Sequence, residues 1–424
     1  MIEKITQIFK IEDLKNRILF VLGMLAIFRV MANIPMPGMD PQQLDEFFAQ
    51  FQMFEFANVF TGGTMDRFSI AMLGLGPYIT AVIVIQLLTM VFPRLERMYK
   101  EEGEQGKQKI NQYGRLLTVP FAIMQTFGML TLFQNQGVID PLGTVELIAS
   151  ILTVTAGTVF LMWLGELISE KGIGNGVSLL IFAGIIANVP AQIYQAIVGW
   201  DPTQLPSYII FLALAIFIVA AVVLVNEARR NIPVSYAKRV KGRKVYGGSS
   251  TYIPLNINPA GVIPIIFALS LMAMPPMIAQ FLAEAGGQVG AIAQSVNSFL
   301  NNPWVQGIGY FVLVFLFTFF YTAVTFDPEN VADNLKKMGG FVPGIRPGKP
   351  TENHIRYILN RVLTVGALYL ATIAVMPQIV AGLTGVATFQ FLIGGASILI
   401  IVSVVLDTTQ QINAQLQMRE YEEI

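Results

Sequence analysis

Apolar residues run along this chain in long blocks rather than in the short alternations of a soluble fold. Ten blocks meet or approach the ~20 residues a helix needs to cross a bilayer. They are 18–34, 70–92, 116–133, 145–168, 177–198, 208–225, 260–282, 304–324, 362–380 and 389–406. The pattern predicts an all-α, polytopic membrane protein with ten transmembrane helices. The first block begins only after four basic residues and is long enough to span, so a cleavable signal peptide is not expected.

The segments between blocks orient the chain. Lys4, Lys10, Lys15 and Arg17 precede the first block. Alternate connections then carry most of the remaining cations. That set of alternate regions holds 25 of the 27 Lys and Arg, and the opposite set holds only Arg67. Basic loops stay on the cytoplasmic side, so both termini are expected in the cytoplasm. Ten spans divide into five and five, and an odd number per half would leave two similar halves inverted to one another. The expected halves are 1–200 and 201–424. The second block of each is interrupted alike, by Gly74-Leu75-Gly76-Pro77 and by Gly261 and Pro264, with Pro275-Pro276 further on. Such breaks have two readings: the ordinary Gly and Pro tolerance of membrane helices, or the walls of a translocation path.

Composition narrows the chemistry. Charged residues are 13% of the chain and hydrophobic ones 54%, with a mean hydropathy of +0.61. Cysteine is absent and His354 is the single histidine, which removes disulfides, thiolate metal sites and His-rich centres. No cofactor is expected. Ion-coupled transport draws on acidic or His residues deep in the spans. Here the intramembrane charges are Arg29, which can snorkel or meet a backbone carbonyl, and Glu166, near a span end. The stretch from Pro343 to Thr351 has the wrong glycine spacing for a phosphate loop. No residues suggest an enzyme, and energy for active transport would come from a partner or a gradient.

What remains is aliphatic. Leu75 and Ile79 share one helix face, as do Val177 and Ile181. They either pack against neighbours or form a dewetting constriction. Segment 60–73, apolar at its edges around Thr61-Gly62-Gly63 and Arg67, reads as an interfacial helix or as a re-entrant segment. Two cytoplasmic loops, 226–259 and 325–361, look folded. Val234–Arg239 and Lys244–Tyr246 flank Lys241-Gly242 as in a hairpin. Asp327-Pro328-Glu329 starts a short helix that ends at Lys336, Lys337 and Gly339. Such loops either set topology or dock acidic partners or RNA.

Several ordered stretches resemble the SecY family of protein-conducting channels, from near the start of the chain to the last span. They include Phe28-Arg29-Val30, Ile34-Pro35-Met36-Pro37-Gly38, Phe60-Thr61-Gly62-Gly63 and Pro77-Tyr78-Ile79. They continue with Met162-Trp163-Leu164-Gly165-Glu166, Gly172-Ile173-Gly174-Asn175-Gly176, Ala260-Gly261-Val262-Ile263-Pro264, Ala332-Asp333-Asn334-Leu335-Lys336-Lys337 and Phe341-Val342-Pro343-Gly344-Ile345-Arg346-Pro347-Gly348.

The resemblance implies two inverted five-helix halves around a central hourglass pore in the inner (plasma) membrane. It implies translocation of unfolded secretory polypeptides, and release of transmembrane segments through a lateral gate. An apolar pore ring would fall on Leu75, Ile79, Val177, Ile181, Ile266 and Ile400. A plug would fall on 60–73, including Phe60, Thr61, Gly62, Gly63 and Arg67. Lateral-gate polar positions would be Gln86 and Asn258. Partner docking would use Arg239, Lys241, Arg243, Lys244, Lys336, Lys337, Arg346 and Lys349. The implied partners are the SecE and SecG subunits, the SecA motor ATPase, the ribosome with its nascent chain, signal sequences and membrane lipid. A solute transporter built on the broken helices is the alternative of a different class. The basic loops favour macromolecular docking.

Overall fold

A computed structural model of the chain describes residues 11–36, 61, 64–65, 68–100, 102–135, 137–198, 205–236, 239–241, 244–246, 250–283, 287–300, 302–384 and 395–422. The first-half helices are α1 (Glu12–Ala32), α2 (Gly76–Val91), α3 (Pro93–Lys100), α4 (Gly103–Asn135), α5 (Thr144–Lys171) and α6 (Gly176–Val198). In the second half α7 (Leu205–Glu227) leads into strands β1 (Arg229–Tyr236), β2 (Arg239–Lys241), β3 (Lys244–Tyr246) and β4 (Ser250–Asn256). There follow α8 (Ile263–Ala283), α9 (Gly287–Leu300), α10 (Pro303–Thr325), α11 (Pro328–Lys337), β5 (Gly340–Phe341), α12 (Lys349–Thr384) and α13 (Gly395–Glu422).

Each of the ten apolar blocks has described residues on a helix; 70–75 run in turns ahead of α2, and 389–394 lie outside the described residues. Among the described residues six helices, α4, α5, α7, α10, α12 and α13, contain stretches long and apolar enough to cross a bilayer alone. A seventh span results if α2 and α3, bent by 108°, count as one. The bend follows from sequence: Pro93 ends the ladder of α2, and Arg94, Glu96 and Arg97 give α3 a polar character that α2 lacks. Four buried threonines inside the spans bond within their own helix, while Thr155 and Thr158 of α5 have no hydroxyl partner among the described residues. Thr118, Thr126, Thr318 and Thr322 each donate to a carbonyl one turn back in the same helix, at 2.6–2.9 Å, as an apolar surrounding requires.

Three apolar cores order the membrane region. One joins the segment before α2 to α4 and α5, with Phe68 against Phe133 at 5.5 Å between ring centroids. One binds α7, α8, α10, α12 and α13. The third lies between the halves and draws on α1, α2, α5, α6, α8 and α13. The halves also meet where α8 packs on α2 and α4, and where α13 packs on α6.

A fourth core lies in the basic loops. Strand β1 is central in an antiparallel sheet of order β4-β1-β5, so residues from both large loops pair in one sheet. Ile232, Val234, Leu255, Leu335, Val342 and Ile355 fill its apolar side. The hairpin around Gly242 exists as β2 and β3, but Val234 belongs to β1. Helix α11 has the predicted cap: the Glu329 N–H donates to Asp327 Oδ1 at 3.0 Å. Helix α9 was not expected. It carries no charged residue and leaves Ile292, Val296 and Phe299 exposed.

Candidate functional site

The entry to α2 and the entry to α8 are built alike. Each begins at a carbonyl, Ile70 or Ile257, lodged against a glycine of a neighbouring helix. Four residues later comes a glycine with positive φ, Gly74 at +53° or Gly261 at +62°, which a residue with a Cβ adopts only at a cost. Three residues further a proline sits in the first helical turn, Pro77 or Pro264, where its missing N–H costs nothing. Two residues after that stands Ile79 or Ile266. These two elbows deliver the aliphatic residues of their helices to the same place.

The six aliphatic positions predicted for a ring all belong to the core between the halves. Leu75, Ile181 and Ile400 are buried, and Ile79, Val177 and Ile266 pack against them half-buried. Their positions follow from helix starts: Val177 and Ile181 lie in the first turns of α6, and Ile400 lies five residues after the first residue of α13, as Ile181 does in α6. None of the six carries a polar group. A side chain of this kind is worth about 1.5–3 kcal/mol when fully buried, as Leu75, Ile181 and Ile400 are. Val262 joins both this core and that of the second half. It stands where Leu75 stands in the first elbow, and the sequence pattern alone did not single it out.

Of the predicted plug, Phe60, Gly62, Gly63 and Arg67 lie outside the described residues, and Thr61 is buried. From Phe68 to Leu75 the backbone runs in turns, so neither Phe68 nor Met72 lies on an interfacial helix. The segment is tied by its backbone to the end of α1. The Met36 N–H donates to the Phe68 carbonyl at 2.9 Å, and the Ile70 N–H to the Ile34 carbonyl at 3.1 Å. Thr64 Oγ1 donates to the Thr61 carbonyl at 2.9 Å, and Ser69 Oγ to the Thr64 carbonyl at 3.3 Å. Irregular backbone is tolerated at membrane depth only where protein satisfies it; these bonds, and the burial of Met65, Phe68 and Met72, meet that condition.

The two predicted gate residues have different surroundings. Asn258, 7% exposed, donates from Nδ2 to Asn226 Oδ1 at 3.1 Å and to the Gly261 carbonyl at 3.2 Å. Asn226 Nδ2 in turn donates to Ser403 Oγ at 2.8 Å. This chain ties the end of α7, the second elbow and α13 together. Gln86 is half-buried on α2, and its Oε1 has no hydrogen-bond partner among the described residues. The structure does not bond Gln86 to Asn258. Glu166 pairs with Arg115 of α4, which gives the intramembrane carboxylate a partner at the basic end of that helix.

Among the docking residues, Lys336, Lys337, Arg346 and Lys349 are exposed. Arg346 rides a tip between Gly344 (φ +82°) and Gly348 (φ +98°). Beneath it Ile345 packs on the sheet core, and the buried Thr351 donates its hydroxyl to the Arg346 carbonyl at 2.9 Å. Arg239, Lys241 and Lys244 lie on the β2–β3 hairpin, and Arg243 lies outside the described residues.

Comparison with known proteins agrees on one family. The family model for SecY matches residues 69–409. The protein translocase subunit SecY of Streptomyces scabiei is 42% identical, over 100% of this chain and 99% of its own length. That of Mycobacterium tuberculosis is 41% identical over 97% of this chain and 96% of its own. Among solved structures, a protein-conducting channel superposes with a TM-score of 0.65 at 18% identity, covering 93% of this chain and 91% of the other. Sec61 from a canine ribosome–channel complex gives 0.61 at 19% identity, with 93% and 91% coverage.

Proposed function

The chain belongs to the SecY family, and from that membership we propose how it conducts a polypeptide. It is a multi-pass membrane protein of a protein-conducting channel family and not an enzyme. The conducting path runs through the cluster of Leu75, Ile79, Val177, Ile181, Ile266 and Ile400, which forms the waist of an hourglass. The observation that carries this reading is the convergence of those six aliphatic residues, from four helices of both halves, on one core. A translocating polypeptide varies in side chain, so specific hydrogen bonds in the pore would favour some segments and stall others. An aliphatic waist offers every segment the same deformable contact and, when closed, gives ions no partner.

The rest of the proposal follows from that waist. Ten spans form two inverted halves, 1–200 and 201–424, with both termini cytoplasmic in the inner membrane; the matching elbows and the loop charges support this. Segment 60–73 is the plug, supported by the packing of Met65, Phe68, Met72 and Leu73 in one core with α4 and α5. The lateral gate opens where α8 meets α2 and α4, with Gln86 and Asn258 on its two sides, so that apolar signal sequences and transmembrane segments partition into lipid. The two basic loops dock the SecA motor or the ribosome through Arg239, Lys241, Arg243, Lys244, Lys336, Lys337, Arg346 and Lys349. SecE and SecG complete the membrane complex.

The test is site-specific cross-linking of a stalled secretory chain to photoreactive probes at Ile79, Ile181 and Ile266. Adducts at these positions, and none at a lipid-facing control such as Leu224, are expected. Failure of every ring position to capture an engaged chain would remove the waist from the path.

A further inference from the structure

Two glycines far from the ring occupy the same place in the two halves. A Cβ built on Gly157 of α5 runs into the carbonyl oxygen of Ile70 and comes 3.0 Å from its carbon and 3.6 Å from Ala71 Cα. On Gly366 of α12 it runs into the carbonyl oxygen of Ile257, 3.3 Å from its carbon and 3.9 Å from Asn258 Cα. The same three atoms are met in the same order. Ile70 and Ile257 are the carbonyls from which the two elbows begin, with a positive-φ glycine four residues on and an isoleucine of the waist nine residues on.

We propose that Gly157 and Gly366 are positioning residues for the waist: each seats an elbow directly against helix backbone and thereby fixes where the first turn of the next helix delivers its aliphatic pair. The pairs are Leu75 with Ile79, and Val262 with Ile266. This rests on the reading of that cluster as the channel waist. The physical reason lies in what would have to give. The atoms in the way are main-chain atoms, not the flexible end of a side chain. Gly157 and Gly366 lie well inside the long helices α5 and α12, whose backbone is fixed by intrahelical hydrogen bonds on both sides of them. The elbows are turns, held by isolated bonds such as Met72 N–H to Ser69 O at 2.9 Å and Gly74 N–H to Ala71 O at 2.7 Å. An added methyl therefore displaces the elbow rather than the helix, and the displacement passes along the rigid first turn to the waist. The close packing of protein interiors transmits such shifts instead of absorbing them.

The experiment uses the full channel complex in planar bilayers. Gly157→Ala and Gly366→Ala are compared with Gly23→Ala, where nothing lies within 4 Å of an added Cβ, and with Gly114→Ala, where the nearest atom is an ordinary 3.6 Å away. Ile181→Asp and Ile266→Asp serve as positive controls for the waist itself. Because the chain has no cysteine, a single Ile79→Cys or Ile266→Cys reports access of a membrane-impermeant maleimide from water. The expected result is a severalfold rise in resting conductance for each elbow variant and none for the two control glycines. Faster labelling at Ile79→Cys is expected with Gly157→Ala, and at Ile266→Cys with Gly366→Ala. A rise with the aspartate variants but not with the elbow variants overturns the inference and leaves the waist standing. No change with the aspartates removes the waist, and the inference with it. If both elbow variants fail to accumulate as folded complex, the glycines serve stability alone and the proposal falls.

Discussion

The two elbows share their backbone and differ in what surrounds them. The first, Ile70 to Ile79, grows out of an apolar segment: Ala71, Met72 and Leu73 are buried among aliphatic and aromatic neighbours, and its bonds run to its own backbone, to the end of α1 and to the hydroxyls of Thr64 and Ser69 just before it. The second, Ile257 to Ile266, grows out of a sheet. At the position of Ala71 it has Asn258, which reaches Asn226 and, through it, Ser403. The same geometry is thus held by packing on one side and by a polar chain on the other. Packing tolerates rearrangement in small steps, because apolar contacts are not directional. A hydrogen-bonded chain holds one arrangement and loses most of its value when a single member moves. The comparison teaches that the two halves need not yield equally: the second is anchored through a directional polar chain beside the sheet of the basic loops, and the first chiefly through apolar packing with the segment before it.

The largest effect is expected at the place both elbows serve. Ile181→Asp or Ile266→Asp trades aliphatic contact for a group that holds water. Resting ion conductance should rise by roughly tenfold or more, the factor that ~1.4 kcal/mol of lost seal commands; single-channel recording in bilayers measures it. An unchanged conductance would mean that the shared cluster is packing and not a seal. Next in size is Phe68→Ala. It empties the seat against Phe133 and should lower stability by about 3–5 kcal/mol if the site does not collapse, read as a drop in Tm of the purified complex. The loss should also free the preceding segment, so conductance should rise as well.

The contrast between Ala71 and Asn258 is sharpened by exchanging them. Asn258→Ala strands Asn226 and should cost about 1–3 kcal/mol. Ala71→Asn buries an amide among Met72, Leu75 and their neighbours without a partner, at a similar cost. If the elbows were interchangeable, the double exchange would restore stability. The different surroundings predict instead that the two losses add within ~0.5 kcal/mol, as thermal unfolding of single and double variants would reveal.

Much of this was legible in the sequence, for physical reasons that can be named. Gly74 with Pro77, and Gly261 with Pro264, announce breaks because glycine takes a positive φ at little cost and proline suits a first helical turn. Asp327 and Lys336 announce α11 because helix ends have fixed chemical needs. The joint sheet of β1, β4 and β5 was not legible. Gly340 and Phe341 are two residues whose pairing with Tyr236 and Ser235 depends on loops separated by three helices. Gly157 and Gly366 were equally silent, since a glycine within an apolar run looks like any other until the carbonyl opposite it is seen. Gln86 and Asn258, both expected at the gate, turned out to lie in unlike environments because sequence position does not report partners.

The smallest effect on stability should come from the outermost residue tied to the second elbow. Arg346 is exposed on its glycine-flanked tip, while Ile345 and Thr351 beneath it carry the packing and the hydrogen bond. Arg346→Glu leaves those anchors in place, so Tm should stay within the equivalent of ±0.5 kcal/mol. Binding to an acidic or RNA-bearing partner depends instead on the sign of the charge. Affinity for the motor or ribosome should fall, and fall less at high salt, where the wild-type attraction is itself screened. Sedimentation with ribosomes and motor-stimulated translocation at two ionic strengths would measure both. Undiminished binding would take Arg346 out of the docking surface. The link between that surface and α8 would then rest on the sheet alone, and a variant such as Phe341→Pro, which removes a strand donor opposite Ser235, would be the one to impair translocation.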